Sequence, residues 1–325
     1  MHLIAFHADS GGPGDVYVVG PSGVGTRRLT RSISHLPTAV WSPDGSRLAF
    51  LARPRGAVDV YVIRANGTGL RQLTRGEGDH WGGVGWAPDG RRLSFACCGE
   101  RNVSLYVIGA DGKGRRLLAA NAGQAAWSPD GSRLAILGFS DGDPEIYLVS
   151  ADGSTKTRLT RSRGEDVDPS WSADGRRIVF VSSRSGRSQI YVMNADGSGR
   201  RRLVSDRWAD EDPAWSPDGT RIAFTSYRNK DPHTLGIGNA EIVVASADGT
   251  NVRNLTASRY WEGQPAWSPD GRQIAYATRR DFGRNGGLRL AIMNADGSGR
   301  RLLPAVPDPR IPSGKANSCC PAWQP

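Results

Sequence analysis

The sequence has few of the residues that build disulfide, metal or membrane frameworks. Its 325 residues include only four cysteines and five histidines, so a disulfide-stabilised scaffold is excluded. No apolar run approaches the roughly 18 residues needed to cross a membrane, so we expect no transmembrane segment. The signatures H-E-x-x-H, G-x-S-x-G, the Walker loop and paired zinc-type C-x-x-C are also absent. No motif therefore points to a known catalytic or metal-binding class.

A secretory leader is also missing from the first residues. The apolar stretch Leu3–Phe6 is followed at once by polar residues, whereas a leader needs roughly 7–15 apolar residues. We therefore expect either a cytoplasmic protein or one whose leader was removed.

The residues that are abundant indicate a globular protein with many turns. Gly (42) and Pro (20) are frequent, while 38% of the residues are hydrophobic and 23% are charged. The formal net charge of +10 makes an anionic partner one of the possibilities to test.

An internal repeat dominates the chain. Segments of the form WSPDGSRLAF begin at six tryptophans, and a seventh anchor lies in PAWQP: Trp41, Trp86, Trp127, Trp171, Trp215, Trp267 and Trp323. Each of the six segments is followed by a β-rich run such as QIYVM (189–193), and then by a turn and a short run such as NADGSGRRRLV (194–204). We name the four predicted strands of one repeat a (ending at Trp), b, c and d.

Four short strands per repeat of 41–56 residues are typical of a β-propeller blade. Pro and Gly in Ser-Pro-Asp-Gly favour a tight turn between strands a and b. The chain opens on a strand b and closes on a strand a, so residues 319–325 would complete the blade begun by residues 1–30. We predict an all-β fold: a single β-propeller domain over residues 1–325 with seven four-stranded antiparallel blades. The prediction falls to six blades if residues 304–325 do not pair.

The repeated WSPDG-x-x-I/L-A-F, I-Y-V-M-N-A-D-G-S-G and R-x-L-T resemble the TolB-type, WD-like propeller repeats. Such repeats also occur in the propeller domains of tricorn and dipeptidyl-peptidase proteins. The resemblance covers essentially the whole chain, and it implies a binding propeller in the bacterial envelope or exterior. It therefore favours a periplasmic or extracellular location, with the cytoplasm as the alternative.

Propeller geometry sorts the connections onto two faces, which we call the turn face (a–b and c–d turns) and the loop face (b–c and d–a loops). The loop face combines aromatic and polar residues near the strands that line the channel. The candidate ligand-binding residues are His35, His80, Trp81, Trp208, Tyr260, Trp261 and Glu262. Stacking surfaces beside a few polar groups are what a ligand pocket requires. The alternative is that these aromatics only fill the loops.

Acidic residues from two neighbouring blades also fall on the loop face. A Ca²⁺ ion, which prefers several oxygen ligands, could bind to Asp166, Asp168, Asp210 and Asp212. The alternative is that the Asp-Pro pairs at 168–169 and 212–213 only form turns. We expect that the protein requires no cofactor.

The turn face carries about twice as many basic residues as aspartates. It could bind an anion, or each arginine could be a surface position specified by the repeat. Nucleic acid is not expected, because no stacking aromatics lie there. The vicinal pairs Cys97-Cys98 and Cys319-Cys320 leave disulfide, soft-metal and reduced states open.

We predict a non-catalytic propeller that binds a protein, peptide or glycan at the acidic and aromatic mouth of its channel, and we expect a monomer. The alternative is a polysaccharide-active lyase or hydrolase centred on the same mouth. Anion binding by the turn face is a third possibility.

Overall fold

The computed structural model describes residues 2–9, 14–31, 35–53, 56–76, 83–97, 103–139, 142–229, 239–279, 288–304 and 317–325. Within these ranges the side chains at 9, 35–38, 229 and 317–319 are not described. The described residues form an all-β fold of seven four-stranded antiparallel blades, which confirms the predicted seven-bladed propeller. No membrane-spanning helix occurs in the part of the chain that the structure describes.

Six blades are built from consecutive strands in the order a, b, c, d. Blade 1 contains β4 His35–Trp41, β5 Arg47–Ala52, β6 Asp59–Arg64 and β7 Arg71–Gln72. Blade 2 contains β8 Val84–Trp86, β9 Arg92–Cys97, β10 Ser104–Gly109 and β11 Arg116–Ala119. Blade 3 contains β12 Ala122–Trp127, β13 Arg133–Gly138, β14 Glu145–Ser150 and β15 Lys156–Arg158.

The second half of the chain repeats this plan. Blade 4 contains β16 Asp166–Trp171, β17 Arg177–Ser182, β18 Gln189–Asn194 and β19 Arg201–Arg202. Blade 5 contains β20 Asp210–Trp215, β21 Arg221–Asn229, β22 Asn239–Ser246 and β23 Arg253–Asn254. Blade 6 contains β24 Glu262–Trp267, β25 Gln273–Thr278, β26 Arg289–Asn294 and β27 Arg301–Leu302.

Blade 7 joins the two ends of the chain. Its strand a is β28 Asn317–Trp323, which pairs with β1 Ile4–Asp9, followed by β2 Asp15–Val19 and β3 Arg27–Arg28. Ile4 lies opposite Trp323 in this pairing, and the backbone N–H of Gln324 donates to the Leu3 carbonyl at 2.7 Å. The strands a of neighbouring blades contact one another around the complete ring and therefore line the channel.

The anchor tryptophans link each blade to the one before it. In six of the seven links the indole N–H donates to a backbone carbonyl in the preceding strand a, as from Trp171 to Ala126 at 3.0 Å and from Trp323 to Ala266 at 3.0 Å. Trp127 instead donates to the Ser94 hydroxyl at 3.1 Å. Burial of the large rings makes these contacts the repeated core between blades.

The R-x-L-T motif satisfies buried polar groups at the start of strand c. The Thr160 hydroxyl donates to Glu145 at 2.5 Å and accepts from the Ile146 N–H at 2.9 Å. Three other threonines donate in the same way to an acidic residue and accept from the N–H of the residue after it: Thr30 with Asp15, Thr74 with Asp59 and Thr256 with Glu241. Each threonine thus supplies one of the donors that a buried carboxylate needs.

Many turn-face arginines have structural partners on the next blade. The guanidinium of Arg177 lies 5.0 Å from the ring centre of Trp215 and donates to the Gly219 carbonyl at 2.9 Å. Arg47 and Arg221 make the same two contacts, each with the anchor tryptophan and the turn glycine of the blade that follows its own. These contacts support the interpretation of those arginines as positions specified by the repeat.

Candidate functional site

A β-bulge occurs three residues before the anchor tryptophan in four consecutive blades. The bulged residues have a left-handed backbone, with φ values of 54° at Asp168, 52° at Asp212, 57° at Gln264 and 60° at Cys320. Each precedes a proline, and two residues of strand a oppose one residue of strand b there. A bulge redirects its side chain and tolerates a proline, which has no N–H for the ladder.

The bulged residues form a connected arc across neighbouring blades. The Gln124 side chain of blade 3 donates to the Asp168 carboxylate, and Asp168 acts electrostatically on Asp212. The Thr225 hydroxyl donates to Asp212 at 2.9 Å and accepts from the Gln264 N–H at 3.0 Å.

The arc ends in blade 7, where the Cys320 N–H donates to Gln264 Oε1 at 3.2 Å. Because these residues belong to the strands that line the channel, we call Gln124, Asp168, Asp212, Gln264 and Cys320 the channel arc.

Two carboxyl groups of the channel arc titrate above their ordinary range. Enclosure by protein raises the pKa of Asp168 and of Asp212, and the Glu211 carboxylate raises both further. The Asp168 side chain is nevertheless accessible to water, as expected for a group that faces a channel. A positively charged group entering the channel would therefore be attracted by three neighbouring carboxylates.

An aromatic pair lies beside these carboxylates. The Trp261 indole N–H donates to the Tyr227 hydroxyl, which donates to Glu211 Oε2 at 3.1 Å. Burial, together with the nearby Glu211 carboxylate, raises the pKa of Tyr227 to about 12, so the hydroxyl keeps its proton. Trp261 packs over Gly263, where an added Cβ would lie 2.8 Å from the indole ring.

Two neighbours of Trp261 lie in a different place. Tyr260 and Glu262 line a cavity of about 470 Å³ between blades 5 and 6, together with Thr256, Ser258 and Arg300. The structure thus separates Trp261, which contacts Tyr227 beside Glu211, from the residues of this cavity, which we call the lateral cavity.

The four predicted metal-ligating aspartates are also divided. Asp166 and Asp210 are buried in the blades: Asp166 pairs with Arg184 at 2.8 Å, and Asp210 accepts from the Ser226 hydroxyl at 2.5 Å. Only Asp168 and Asp212 belong to the channel arc. The alternation of strand a turns residues two apart toward one side, but the bulge changes that direction at Asp168 and Asp212.

The remaining predicted residues are not brought to the channel arc by any described contact. Trp208 is half-buried, and the Arg207 guanidinium lies 4.6 Å from its ring centre. His80 and Trp81 lie outside the described residues, as does the side chain of His35. Their proposed role in ligand binding stays a prediction.

A family model described as the TolB beta propeller domain matches residues 120–325, well over half of the chain. The chain belongs to the TolB β-propeller family.

Solved structures agree with this membership of the TolB family. A putative TolB from Agrobacterium tumefaciens is 26% identical with a TM-score of 0.61, over 83% of this chain and 96% of that one. TolB from Acinetobacter baumannii is 20% identical with a TM-score of 0.62, over 96% and 79% of the two chains. An oligogalacturonate lyase in complex with manganese is 16% identical with a TM-score of 0.66, over 92% and 83%. The last two likenesses concern the fold alone. No curated protein matches the sequence.

The described residues of this TolB-type propeller contain no group of three or more His, Cys, Asp or Glu side chains arranged to hold a metal ion. Asp168 and Asp212 supply the carboxylate oxygens that Ca²⁺ prefers. A channel Ca²⁺ therefore remains a proposal that involves Asp168 and Asp212 and not Asp166 or Asp210.

Several residues of the site are absent from the sequence-based prediction, namely Gln124, Glu211, Tyr227 and Gln264. A signal for Gln264 does exist in the sequence of this TolB-family chain. Each bulged residue lies three residues before an anchor tryptophan and is followed directly by a proline: Asp168, Asp212, Gln264 and Cys320. Tyr227 carries no such signal, because it lies in the last part of strand b and reaches Glu211 only through the pairing of β20 with β21.

Proposed function

We propose that this TolB-type propeller is a non-catalytic binding protein that holds a positively charged peptide segment of a protein partner at the channel arc. The observation that carries the proposal is the grouping of Asp168, Glu211 and Asp212, whose charges act on one another beside Trp261 and Tyr227. A lysine or arginine side chain would relieve the repulsion between the carboxylates. The aromatic pair would add stacking or cation–π contact.

The same charges argue against an acidic glycan. A uronic-acid residue would bring a carboxylate toward carboxylates that already repel one another, which costs binding energy. A neutral glycan avoids that repulsion but leaves the channel charges without a partner. The basic peptide is therefore the ligand class that this chemistry favours within the predicted set of peptide, protein and glycan.

The TolB resemblance supports a periplasmic or extracellular setting for this role, and we propose that the protein acts there as a monomer. The alternative, a polysaccharide-active lyase or hydrolase, would place a catalytic centre at the same mouth. Its candidate histidines, His35 and His80, have no described side-chain position.

Fluorescence anisotropy with labelled ligands of equal length tests the proposal. We expect a lysine-rich peptide to bind more tightly than a glutamate-rich peptide, a neutral oligosaccharide or a uronic-acid oligosaccharide. The double variant Asp168→Asn/Asp212→Asn should bind the lysine-rich peptide about tenfold more weakly, equivalent to ~1.4 kcal/mol.

The matched control is Asp196→Asn/Asp248→Asn, which removes the same charge from exposed turns on the opposite face. It should change the affinity less than about twofold. Equal weakening by both double variants would overturn a channel site. Release of unsaturated or shortened products from the uronic-acid oligosaccharide by the wild-type protein would establish the enzyme alternative instead.

A further inference from the structure

At two blade interfaces an acidic residue of strand c and an acidic residue of the next strand a are both buried. Between blades 3 and 4 the pair is Glu145 and Asp166, which are 2% and 0% exposed. Arg158 donates to Glu145 at 3.2 Å, and Arg184 donates to Asp166 at 2.8 Å. Each buried carboxylate at this interface therefore has its own guanidinium, as buried charges require, although Asp166 Oδ1 has no hydrogen-bond partner.

The equivalent pair between blades 5 and 6 forms no ion pair with a guanidinium among the described residues, although the more distant Arg300 lowers the pKa of both glutamates. Glu241 and Glu262 are 0% and 2% exposed, and the charge of Glu262 raises the pKa of Glu241. The position of Arg158 in the repeat is occupied here by Asn254. The Asn254 side-chain oxygen instead accepts from the N–H groups of Thr256 and Ala257, both at 3.2 Å.

Hydrogen bonding also satisfies the two glutamates unequally. Glu241 accepts from the Thr256 hydroxyl at 2.6 Å and from the Ser258 N–H at 2.9 Å. Glu262 accepts a long bond of 3.4 Å from Thr278, and the Thr256 and Ser258 hydroxyls also lower its pKa. Its Oε2 is nevertheless buried with no partner within hydrogen-bond distance. A buried polar atom without a partner is costly in a folded protein, and it marks a place where a ligand could supply the missing donor.

The lateral cavity lies beside this pair. Its lining includes Thr256, which bonds Glu241, as well as Glu262 itself and the ring of Tyr260. Arg300, an exposed residue, also lines the cavity, but its guanidinium donates to the Thr256 carbonyl. An acidic pair without a bound guanidinium therefore coincides with an open volume of about 470 Å³.

We propose that the lateral cavity binds a small organic molecule bearing a primary ammonium group, which takes the place that Arg158 has beside Glu145. The ammonium group would donate to Glu262 and share the charge of Glu241. The inference is independent of the proposed function, because it concerns a different cavity and different carboxylates. It goes beyond the predicted role of Tyr260 and Glu262 at the channel mouth.

Two features favour an organic ammonium over a bare metal ion. The cavity volume is in the range of small-molecule sites and far exceeds that of a single ion. The lining also combines the Tyr260 ring with hydroxyl groups of Thr256 and Ser258, which suit the carbon atoms and polar substituents of an organic ligand.

Thermal unfolding with 1,5-diaminopentane as the probe tests this site. We expect the diamine to raise the melting temperature of the wild-type protein, while the neutral 1,5-pentanediol and calcium chloride at equal ionic strength do not. Asn254→Arg should supply the missing guanidinium from within, so it should raise the melting temperature without ligand and weaken diamine binding at least tenfold.

Asn254→Gln is the matched control, since it lengthens the same side chain without adding charge, and it should retain the diamine response. Glu262→Gln should also lose the response. Diamine binding by isothermal titration calorimetry that is equal for Asn254→Arg and Asn254→Gln would overturn the proposal. A wild-type response to the diol or to calcium as large as that to the diamine would overturn it as well.

Discussion

The same position of strand a can hold an ion-paired carboxyl group or one with a raised pKa, depending on which side chains of the neighbouring strands contact it. Five residues before the anchor tryptophan, Asp166 is paired with Arg184, whereas Asp210 receives a hydroxyl hydrogen bond from Ser226. Burial, the largest cause, and the nearby Asp206 carboxylate together raise the pKa of Asp210 to about 7, against the opposing effects of the Ser226 hydroxyl and of Arg228 and Arg202. Local environment therefore decides the charge state of equivalent residues.

Asp210 should make the stability of the protein depend on pH. In the unfolded chain its carboxyl group loses its proton near pH 4, whereas in the folded protein it keeps the proton until about pH 7. The folded state binds more protons between these values, so the free energy of unfolding should fall as the pH rises from about 4 to about 7. The change is at most about 4 kcal/mol.

The variant Asp210→Asn should lose this pH-dependent contribution while its side-chain oxygen still accepts from Ser226. Relative to the wild-type protein it should therefore gain stability at pH 8 compared with pH 5, as measured by urea denaturation at both pH values. Asp166→Asn is the control, and it should destabilise at pH 8 because it leaves Arg184 without its carboxylate. A stability difference for Asp210→Asn that is the same at both pH values would contradict the assignment.

At the scale of the element, one repeated sequence performs several tasks that depend on the next blade. The anchor tryptophan donates backward to the preceding strand a, and the first arginine of strand b reaches forward over the next tryptophan. The turn aspartates are held inside their own turns. In blade 1, for example, the Ser42 hydroxyl lowers the pKa of Asp44 to about 2. Basic residues on the turn face therefore divide into those that join blades and those that face solvent.

Adjacent arginines allow this division to be tested. Arg177 stacks on Trp215 and donates to Gly219. Arg176 is exposed, and its described hydrogen bonds are made by its backbone, whose N–H donates to Asp174 and whose carbonyl accepts from the Ala195 N–H. Arg177→Gln should reduce the free energy of unfolding by about 1–2 kcal/mol, because it removes the cation–π contact and a hydrogen bond. Arg176→Gln should change it by less than about 0.5 kcal/mol.

Chemical denaturation of both single variants gives the comparison directly. Equal effects would mean that the blade-joining contacts of Arg177 contribute no more than ordinary surface charge. The result also bears on anion binding by the turn face, since Arg176 is available to a partner and Arg177 is already engaged.

The elements themselves were largely predictable. Turn signals and β-branched runs predicted strands a, b and c of each blade, because hairpin chemistry depends on residues that are adjacent in sequence. Strand d was also predicted, although in five blades it is only two residues long. The bulges were not predicted, since the shift of register at Asp168 and Asp212 depends on how strand a pairs with strand b.

At the scale of the whole molecule, the ring is closed by strands from opposite ends of the chain. β28 pairs with β1, Trp323 donates to Ala266 of blade 6, and Trp41 donates to Ala322. Closure removes the exposed edge that β1 would otherwise present to other molecules. Each blade therefore has a neighbour on both sides.

Removal of residues 317–325 should open this ring. We expect a fall in melting temperature of about 10 °C or more, with concentration-dependent association, because β1 becomes an unpaired edge and the last blade interface is lost. Calorimetry and light scattering measure the two effects. Removal of Pro325 alone is the control and should leave both nearly unchanged, because the bond from His2 to its carbonyl is exposed.

A truncated protein that stays monomeric with an unchanged melting temperature would show that closure by β28 contributes little. Such a result would not affect the channel arc, which begins in blade 3 and can be tested separately.

The sequence alone determined the seven blades, the four strands of each repeat and the position of each anchor tryptophan at the end of a strand a. These features depend on local turn chemistry and on a pattern repeated along the chain. It also predicted Trp261, Asp168 and Asp212 on the loop face. Only the tertiary structure showed that Asp168 belongs to the channel arc while Asp166 is buried in an ion pair. It likewise showed that Trp261 contacts Tyr227 while Glu262 lines the lateral cavity. Those pairs are one or two residues apart, so their surroundings depend on the direction that the bulge gives each side chain and on the groups supplied by another blade. The pairing of strands and the packing of blades decide both.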